Sequence, residues 1–142
     1  MYESRRNALM KKMKNGVAIL KAASKPLRGR YKYRQDSGFY YFTGFEEPDA
    51  ICLLTPEHPE HNFVMFVNPK DPEKEVWTGI RAGVKGVIEK FHADTAFKID
   101  EFDEKSSDYL KEVDRIYYSM GTDEKFDKKI IELFKKYSNQ KA

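Results

Sequence analysis

The stretch that decides the fold runs from 34 to 50 and reads RQDSGFYYFTGFEEPDA. It places five aromatic residues within seven positions, namely Phe39, Tyr40, Tyr41, Phe42 and Phe45. The run 39–43 is apolar at successive positions, which is typical of a strand in a sheet that is covered on both faces. Gly44 and the Pro48-Asp49 turn separate it from a second apolar run at 50–54. The stretch therefore predicts two neighbouring buried strands.

Strands and helices alternate along the rest of the chain. Further strands are predicted at 17–23, 63–67, 96–99 and 115–120, and helices at 2–14, 82–91, 102–111 and from the N-cap Thr122 onward. The segment 24–32 has no period and is predicted to be a loop. This order predicts one domain over residues 1–142, of the α/β class, with three layers (α/β/α) around a mixed sheet.

Composition limits the class of protein. The chain has 142 residues, of which 40% are apolar, 35% charged and 14% aromatic, so a folded domain with a well-solvated surface is expected. No apolar run approaches the ~20 residues of a membrane span, and the N-terminus lacks the pattern of a signal peptide, which predicts a cytoplasmic protein without a membrane partner. The single Cys52 lies in AICLL and is interpreted as an apolar filler of a strand.

Charge is distributed unevenly. The first 34 residues hold eleven Lys and Arg against one Glu, whereas the remainder is acidic on balance. Such a split is compatible with a nucleic-acid surface or with two faces that meet within or between subunits. A solvated basic helix is the favoured interpretation. No aromatic ladder accompanies the bases, so no nucleic-acid partner is expected.

The residues contain no recognisable catalytic set. The three histidines are His58, His61 and His92, and the H-x-x-H spacing of the first two falls in the loop EHPEHN. Solvated loop histidines are the favoured interpretation over a zinc site. A G-x-S-x-G elbow and a phosphate-binding glycine loop are both missing from the sequence. The chain is therefore expected to be a domain without its own active site and without a cofactor.

Two long motifs carry a family resemblance. The first, YRQDSGFYYFTGFEEPDAICLL, contains R-Q-D-S-x-F-Y-Y-x-T-G-F-x-E-P-D-A. The second, FVNPKDPEKEVWTGIRAGVKGVIEKFHAD, contains D-P-x-x-E-x-W-x-G-x-R-x-G. In this order they resemble the N-terminal domain of aminopeptidase P, the Xaa-Pro aminopeptidase, within the prolidase and creatinase group. The segment LRGRYKY departs from the family, which commonly has Asn or Asp there, so contacts of that loop are not carried over.

The resemblance implies a fold and a division of labour. The fold would be that of the creatinase N-terminal domain, a ribonuclease H-like motif with about six strands in a mixed sheet. The chemistry would belong to a C-terminal pita-bread domain that binds two divalent metal ions, usually manganese, through two Asp, one His and two Glu. None of those ligands can be placed here, so the chain is interpreted as a separated N-terminal domain.

The resemblance also implies partners. The chain would be the accessory domain of a metallopeptidase, with its own C-terminal catalytic domain and further copies of itself, in a homo-oligomer, as partners. Its role would be to support assembly and to narrow access to the active site, and it would meet peptide substrate only in the full enzyme. The alternative is a freestanding interaction module that has lost its peptidase domain.

Within the first motif, Tyr40 is the candidate for a direct role. The resemblance places it at the mouth of the active site of a neighbouring subunit, where an aromatic wall would favour the proline side of the substrate. Arg34, Gln35 and Asp36 would form a supporting polar turn, in which Asp36 caps backbone amides or pairs with Arg34. The other strand aromatics, Phe39, Tyr41 and Phe42, would lock the sheet to its helices.

Within the second motif, Trp77 is expected to be a large packing anchor, and burial in the core is favoured over contact with a partner domain. Glu75 and Arg81 would pair across the turn that begins at Asp71-Pro72. Gly79 and Gly83 would permit tight turns before the next helix.

Overall fold

The computed structural model describes residues 1–25 and 33–141, so most of the predicted loop at 24–32 lies outside the described residues. The helices are α1 (Tyr2–Lys12), α2 (Ser37–Thr43), α3 (Glu75–Thr78), α4 (Gly83–Phe91), α5 (Phe102–Lys105), α6 (Ser107–Leu110) and α7 (Glu124–Lys141). The strands are β1 (Gly16–Lys21), β2 (Ile51–Leu54), β3 (Phe63–Val67), β4 (Thr95–Lys98) and β5 (Arg115–Tyr118). A 3₁₀ turn, Ile99–Glu101, precedes α5.

The five described strands form one mixed sheet in the order β4-β3-β2-β1-β5. The central pairs β1–β2 and β2–β3 are antiparallel, whereas the outer pairs β3–β4 and β1–β5 are parallel. Parallel pairs need crossover connections, and helices supply them. The predicted α/β class and mixed sheet are confirmed.

Each face of the sheet has its own hydrophobic cluster. In β2, Cys52 and Leu54 point into the first cluster, while Ile51 and Leu53 point into the second. The helices α1, α2 and α4 contribute to the first cluster, and α5, α6 and α7 contribute to the second. Because both faces are covered, β2 and β3 are apolar at every position, as the sequence predicted for the run at 50–54.

The aromatic run forms a helix, contrary to the strand that the sequence predicts. Residues 39–43 belong to the helix α2 and not to a strand, so the described sheet has five strands where about six were expected. The Asp36 carboxylate accepts a hydrogen bond from the Phe39 amide at the start of α2, and Gly44 ends the helix with φ 70°. Phe39 and Thr43, one helical turn apart, are the buried residues of α2. Capping at both ends therefore overrides the β propensity of the aromatic side chains.

The last helix, α7, packs one apolar side against the second hydrophobic cluster. Its buried residues are Phe126, Ile130, Leu133 and Tyr137, whereas Phe134 is exposed. The first-turn amide of Phe126 donates to the Asp123 carboxylate, so Asp123 takes the capping role that was assigned to Thr122. In the described residues no helix is long and apolar enough to cross a membrane.

Candidate functional site: two exposed surfaces joined by a hydrogen-bond network

Gln35 is the centre of the first motif. Its side chain accepts hydrogen bonds through Oε1 and donates them through Nε2, at distances of 2.9–3.0 Å. The partners are the amides of Ala23 and Asp36, the hydroxyl of Tyr33, and the carbonyls of Phe45 and Glu47. Burial raises the pKa of Tyr33 to about 12, which keeps its hydroxyl a donor in this network. Gln35 thus ties the end of β1 to both sides of α2.

Asp36 and Arg34 have different roles beside Gln35. Asp36 caps α2, which confirms the capping alternative for this residue. Arg34 is exposed. The polar turn therefore orients α2, and with it the face that carries Tyr40.

The exposed side of α2 forms what we call the tyrosine surface, made of Tyr2, Arg5, Tyr40 and Tyr41. The Arg5 guanidinium carbon lies 4.3 Å from the Tyr41 ring centroid and 5.3 Å from that of Tyr2. The Tyr2 and Tyr40 rings meet edge to face at 6.1 Å. Tyr40 is 38% exposed and Tyr41 49% exposed, so the prediction that Tyr41 locks the sheet to its helices is wrong. A hydrogen bond with Tyr2 raises the pKa of Tyr40.

The helix α1 holds this surface in place through two arginines. Arg5 donates to the Tyr41 carbonyl at 3.1 Å, and the buried Arg6 donates to the Phe42 carbonyl at 3.0 Å. The Arg6 guanidinium also lies 3.8 Å from the centroid of Phe63, and its burial lowers its pKa. Both arginines therefore serve contacts within the chain, at the carbonyl end of α2 where positive charge is favourable.

The second motif forms what we call the apolar patch, made of Val76, Trp77 and Ile80. Each of these three side chains is 83% exposed. The prediction that Trp77 is buried as a packing anchor is therefore wrong. The helix α3 has only four residues between Lys74 and Gly79, too few to turn an apolar stripe onto the sheet.

Lys70 holds the two ends of the patch together. Its ammonium donates to the Glu75 carboxylate at 2.6 Å and to the Arg81 carbonyl at 3.2 Å. The hydrogen bond from Lys70 lowers the pKa of Glu75, which keeps this carboxylate charged. Glu75 and Arg81 do meet, but through a hydrogen bond between the Arg81 backbone and the Glu75 carboxylate. The Arg81 guanidinium instead faces Glu47, at 3.9 Å.

Glu47 connects the first motif to the second. Its Oε2 accepts a hydrogen bond from the Ala82 amide at 2.8 Å, while Oε1 faces Arg81. Burial raises the pKa of Glu47. Since Gln35 binds the carbonyl of Glu47, one network runs from the tyrosine surface to the apolar patch.

Glycines permit the backbone of the patch, as predicted. Gly79 has φ 84° and Gly83 has φ 72°. A Cβ at Gly83 would lie 2.8 Å from the Cβ of Lys70, so the turn also needs the missing side chain.

The histidine loop is ordered and not merely solvated. The His58 and His61 rings stack at 5.4 Å, and His58 Nε2 lies 3.1 Å from the Asp108 carboxylate. His58 Nδ1 accepts hydrogen bonds from the amides of Glu60 and His61, so this nitrogen serves the loop. Across residues 1–25 and 33–141, no three His, Cys, Asp or Glu come together as a metal site. Within these ranges, the donor set around His58 and His61 does not fit a dinuclear metal centre.

Sequence reasoning missed Tyr2, Arg5, Glu47 and Lys70. The i, i+3 spacing of Tyr2 and Arg5 on α1 is a weak signal, since many surface helices share it. The pairing of Glu47 and Lys70 with the patch joins residues from separate turns, and no local spacing encodes it.

Comparison with known proteins agrees with the resemblance that the two motifs carry. The family profile described as "Aminopeptidase P, N-terminal domain" matches residues 2–117. The Xaa-Pro aminopeptidase of Escherichia coli K12 is 35% identical over 125 residues, which cover 84% of this chain and 28% of the relative.

Solved structures agree with the family match. The aminopeptidase PepP of Pseudomonas aeruginosa superposes with a TM-score of 0.88 at 41% identity, over 93% of this chain and 31% of that one. Aminopeptidase P of Escherichia coli with the inhibitor Pro-Leu gives a TM-score of 0.86 at 33% identity, over 98% and 33%. The chain thus spans a third or less of the length of these relatives.

Proposed function

We propose a function from one premise: the chain belongs to the family of aminopeptidase P N-terminal domains. It would be the accessory domain of a metal-dependent Xaa-Pro aminopeptidase. The parent enzyme would remove the residue that precedes proline, in the cytoplasm, with two divalent metal ions held by a separate catalytic domain. Manganese is the metal we expect there. The accessory domain would support a homo-oligomer and narrow the entrance to the active site.

The observation that carries this proposal is the apolar patch. Full burial of one large apolar side chain contributes about 1.5–3 kcal/mol, so three that stay 83% exposed lose a large stabilisation unless another surface covers them. Tryptophan is also among the residues that dominate binding energy at protein interfaces. We assign the catalytic domain of a neighbouring subunit as the surface that the patch meets.

The tyrosine surface supports the same function from the other motif. Tyr40 presents an aromatic ring with a polar tip; the Tyr2 ring contacts it edge to face, and Arg5 lies over Tyr2. Such a ring would form an apolar wall for the proline side of a peptide while its hydroxyl stays in contact with water. Tyr40 therefore remains the candidate at the substrate entrance.

The first experiment compares two proteins: this chain, and a version extended through the catalytic domain. Each is given an Xaa-Pro peptide and manganese. We expect hydrolysis by the extended protein alone. Hydrolysis by the 142-residue chain itself would contradict the accessory role.

The second experiment uses variants of the extended protein. Trp77→Ala and Tyr40→Ala should each lower kcat/KM by roughly ten- to a hundredfold, as loss of an interface anchor does. Phe134→Ala, on the exposed side of α7, is the matched control and should leave kcat/KM unchanged. Equal kcat/KM and unchanged sedimentation in all three variants would exclude a role for these surfaces.

A further inference from the structure

The apolar patch lies on a segment that cannot hold its own shape. The helix α3 makes only one turn, and isolated helices of this length are unstable in water. Its exposed side chains contribute no burial that would fix it. The direction of the patch must therefore be set by contacts at the two ends of the segment 75–82.

Lys70 fixes both ends at once. It reaches the first residue of α3 through the Glu75 carboxylate and the far end through the Arg81 carbonyl. A charged donor that is shared by two acceptors closes the segment into a loop. The close approach of Gly83 to the Lys70 backbone and Cβ places the ammonium within reach of both acceptors.

Glu47 makes a second set of contacts at the far end of the segment 75–82, with Ala82 and Arg81. It accepts from the Ala82 amide at 2.8 Å, and its other oxygen attracts the Arg81 guanidinium. The side chains of Glu47 and Arg81 are 17% and 12% exposed, so water screens this attraction less than it would at the surface. The Arg81 guanidinium is thereby held beside Glu47, while the Arg81 backbone is hydrogen-bonded to the Glu75 carboxylate.

We propose that Lys70 and Glu47 are positioning residues that set the direction of the apolar patch. Together they join the two sequence motifs into one hydrogen-bonded unit. The purpose of the patch rests on the proposed function, but the positioning does not. Lys70 closes the segment, and Glu47 anchors it to the first motif through the carbonyl that Gln35 binds. The motif G-F-x-E-P-D is then needed for the presentation of the tryptophan as well as for its own turn.

The chain offers a direct probe, because Trp77 is its single tryptophan. Time-resolved fluorescence anisotropy reports how freely this indole moves, and amide hydrogen exchange over 75–82 reports how often the segment opens. Both measurements use the chain as it stands. Neither depends on peptidase activity.

The main variant is Lys70→Met, which keeps the side-chain length and removes the charge. We expect exchange over 75–82 to rise roughly three- to tenfold, as loss of two charge-assisted hydrogen bonds at a half-exposed site predicts. The fast component of the Trp77 anisotropy decay should grow in parallel. Lys70→Arg should restore most of both signals, because it keeps the charged donor.

The matched control is Lys129→Met, which breaks a similar ion pair with Asp103 at 2.8 Å, between α7 and α5. It should change the thermal midpoint as little as Lys70→Met does, and it should leave Trp77 unaffected. Equal exchange over 75–82 in the two variants would overturn the proposal.

Glu47→Gln separates positioning from stability. Glutamine keeps an acceptor for the Ala82 amide but loses the charge that attracts Arg81. Since burial already disfavours the charged carboxylate, the thermal midpoint should stay within about 2 °C while the Trp77 motion increases. A lower midpoint with unchanged Trp77 motion would show Glu47 to be a structural residue and would overturn its assignment.

The outcome for the proposed function can be read separately. The same Lys70→Met change in the extended protein should raise KM for an Xaa-Pro peptide more than it lowers kcat. Increased Trp77 motion with unchanged kinetics would confirm the positioning and contradict the role of the patch at the active site.

Discussion

The two segments α2 and α3 differ in the burial of their aromatic side chains, and the difference shows what burial requires. In α2, Phe39 is 1% exposed and lies against the sheet. In α3, Trp77 is 83% exposed although it is the larger side chain. Hydrophobicity alone would bury both. The two segments differ in the length of helix between their end signals, which is seven residues in α2 and four in α3. A helix of about two turns can direct one side chain toward the sheet and another toward solvent, whereas a single turn cannot.

The comparison implies that the first segment is held by the core and the second by its ends. The α2 segment joins a large cluster through Phe39 and Phe45. The α3 segment depends on charged and polar contacts of Lys70 and Glu47. Substitutions should therefore change global stability in the first segment and local motion in the second.

The largest effect is expected for Phe39→Ala. Removal of this fully buried ring should lower the free energy of unfolding by about 3–5 kcal/mol, since it leaves a cavity beside the sheet. Urea unfolding followed by far-UV circular dichroism measures the loss. A loss under about 1 kcal/mol would mean that α2 does not depend on this core, and the contrast between the two segments would fail.

The glycines give the next test. Gly44→Ala forces φ 70° on an alanine and brings its Cβ within 2.7 Å of the Tyr2 ring, so we expect a loss of about 2–3 kcal/mol. Gly79→Ala also has positive φ, but nothing lies within 4 Å of its Cβ. Because the apolar patch can open while the core stays folded, Gly79→Ala should lower the free energy of global unfolding by only about 1 kcal/mol. Equal losses in urea unfolding would contradict this separation.

A smaller loss is expected for Asp36→Ala. The substitution removes the cap on the Phe39 amide and should cost about 1 kcal/mol. Asp36→Asn keeps a side-chain acceptor and is the control, with most of the stability retained. Near-UV circular dichroism should show the tyrosine signal change in the alanine variant alone. An unchanged midpoint for Asp36→Ala would mean that the core, and not the cap, holds α2 in its helical form.

The smallest effect is expected for Trp77→Ala. An exposed side chain leaves no cavity, so the free energy of unfolding should change by no more than about 0.5 kcal/mol. In the unsubstituted 142-residue chain, acrylamide should quench the fluorescence of this tryptophan almost as well as that of the free amino acid. Strong protection from the quencher would show that the indole is buried and would remove the basis of the comparison.

The sequence predicts an element correctly where its apolar pattern, its propensity and its end signals all indicate the same structure. The strands β2 and β3 follow from unbroken apolar runs, and α4 follows from the helical spacing of Val84, Val87 and Phe91. The error at 39–43 arose because aromatic residues favour strands. The cap signals Asp36 and Gly44 were present in the sequence and would have corrected it.

The candidate site could be predicted only in part. The motifs located Gln35, Asp36, Tyr40 and Trp77, but not their exposure or partners. A single tryptophan in EKEVWTGI gives no period, so burial followed from its size alone. The short distance from Pro72 to Gly79 already limited that helix to one turn. Contacts such as Lys70 with Arg81 depend on tertiary structure, which no spacing reveals.

The pairing of the first strand with the last determines how this chain can fold. Gly16 of β1 lies opposite Arg115 of β5, so the edge of the sheet joins residues that are separated by most of the sequence. Contacts at such separation slow folding, because a long loop must close before any of its hydrogen bonds form. During synthesis, β1 remains with one edge unpaired until β5 has left the ribosome. Until then, β1 can pair only with β2, which itself pairs with β3 in an antiparallel hairpin.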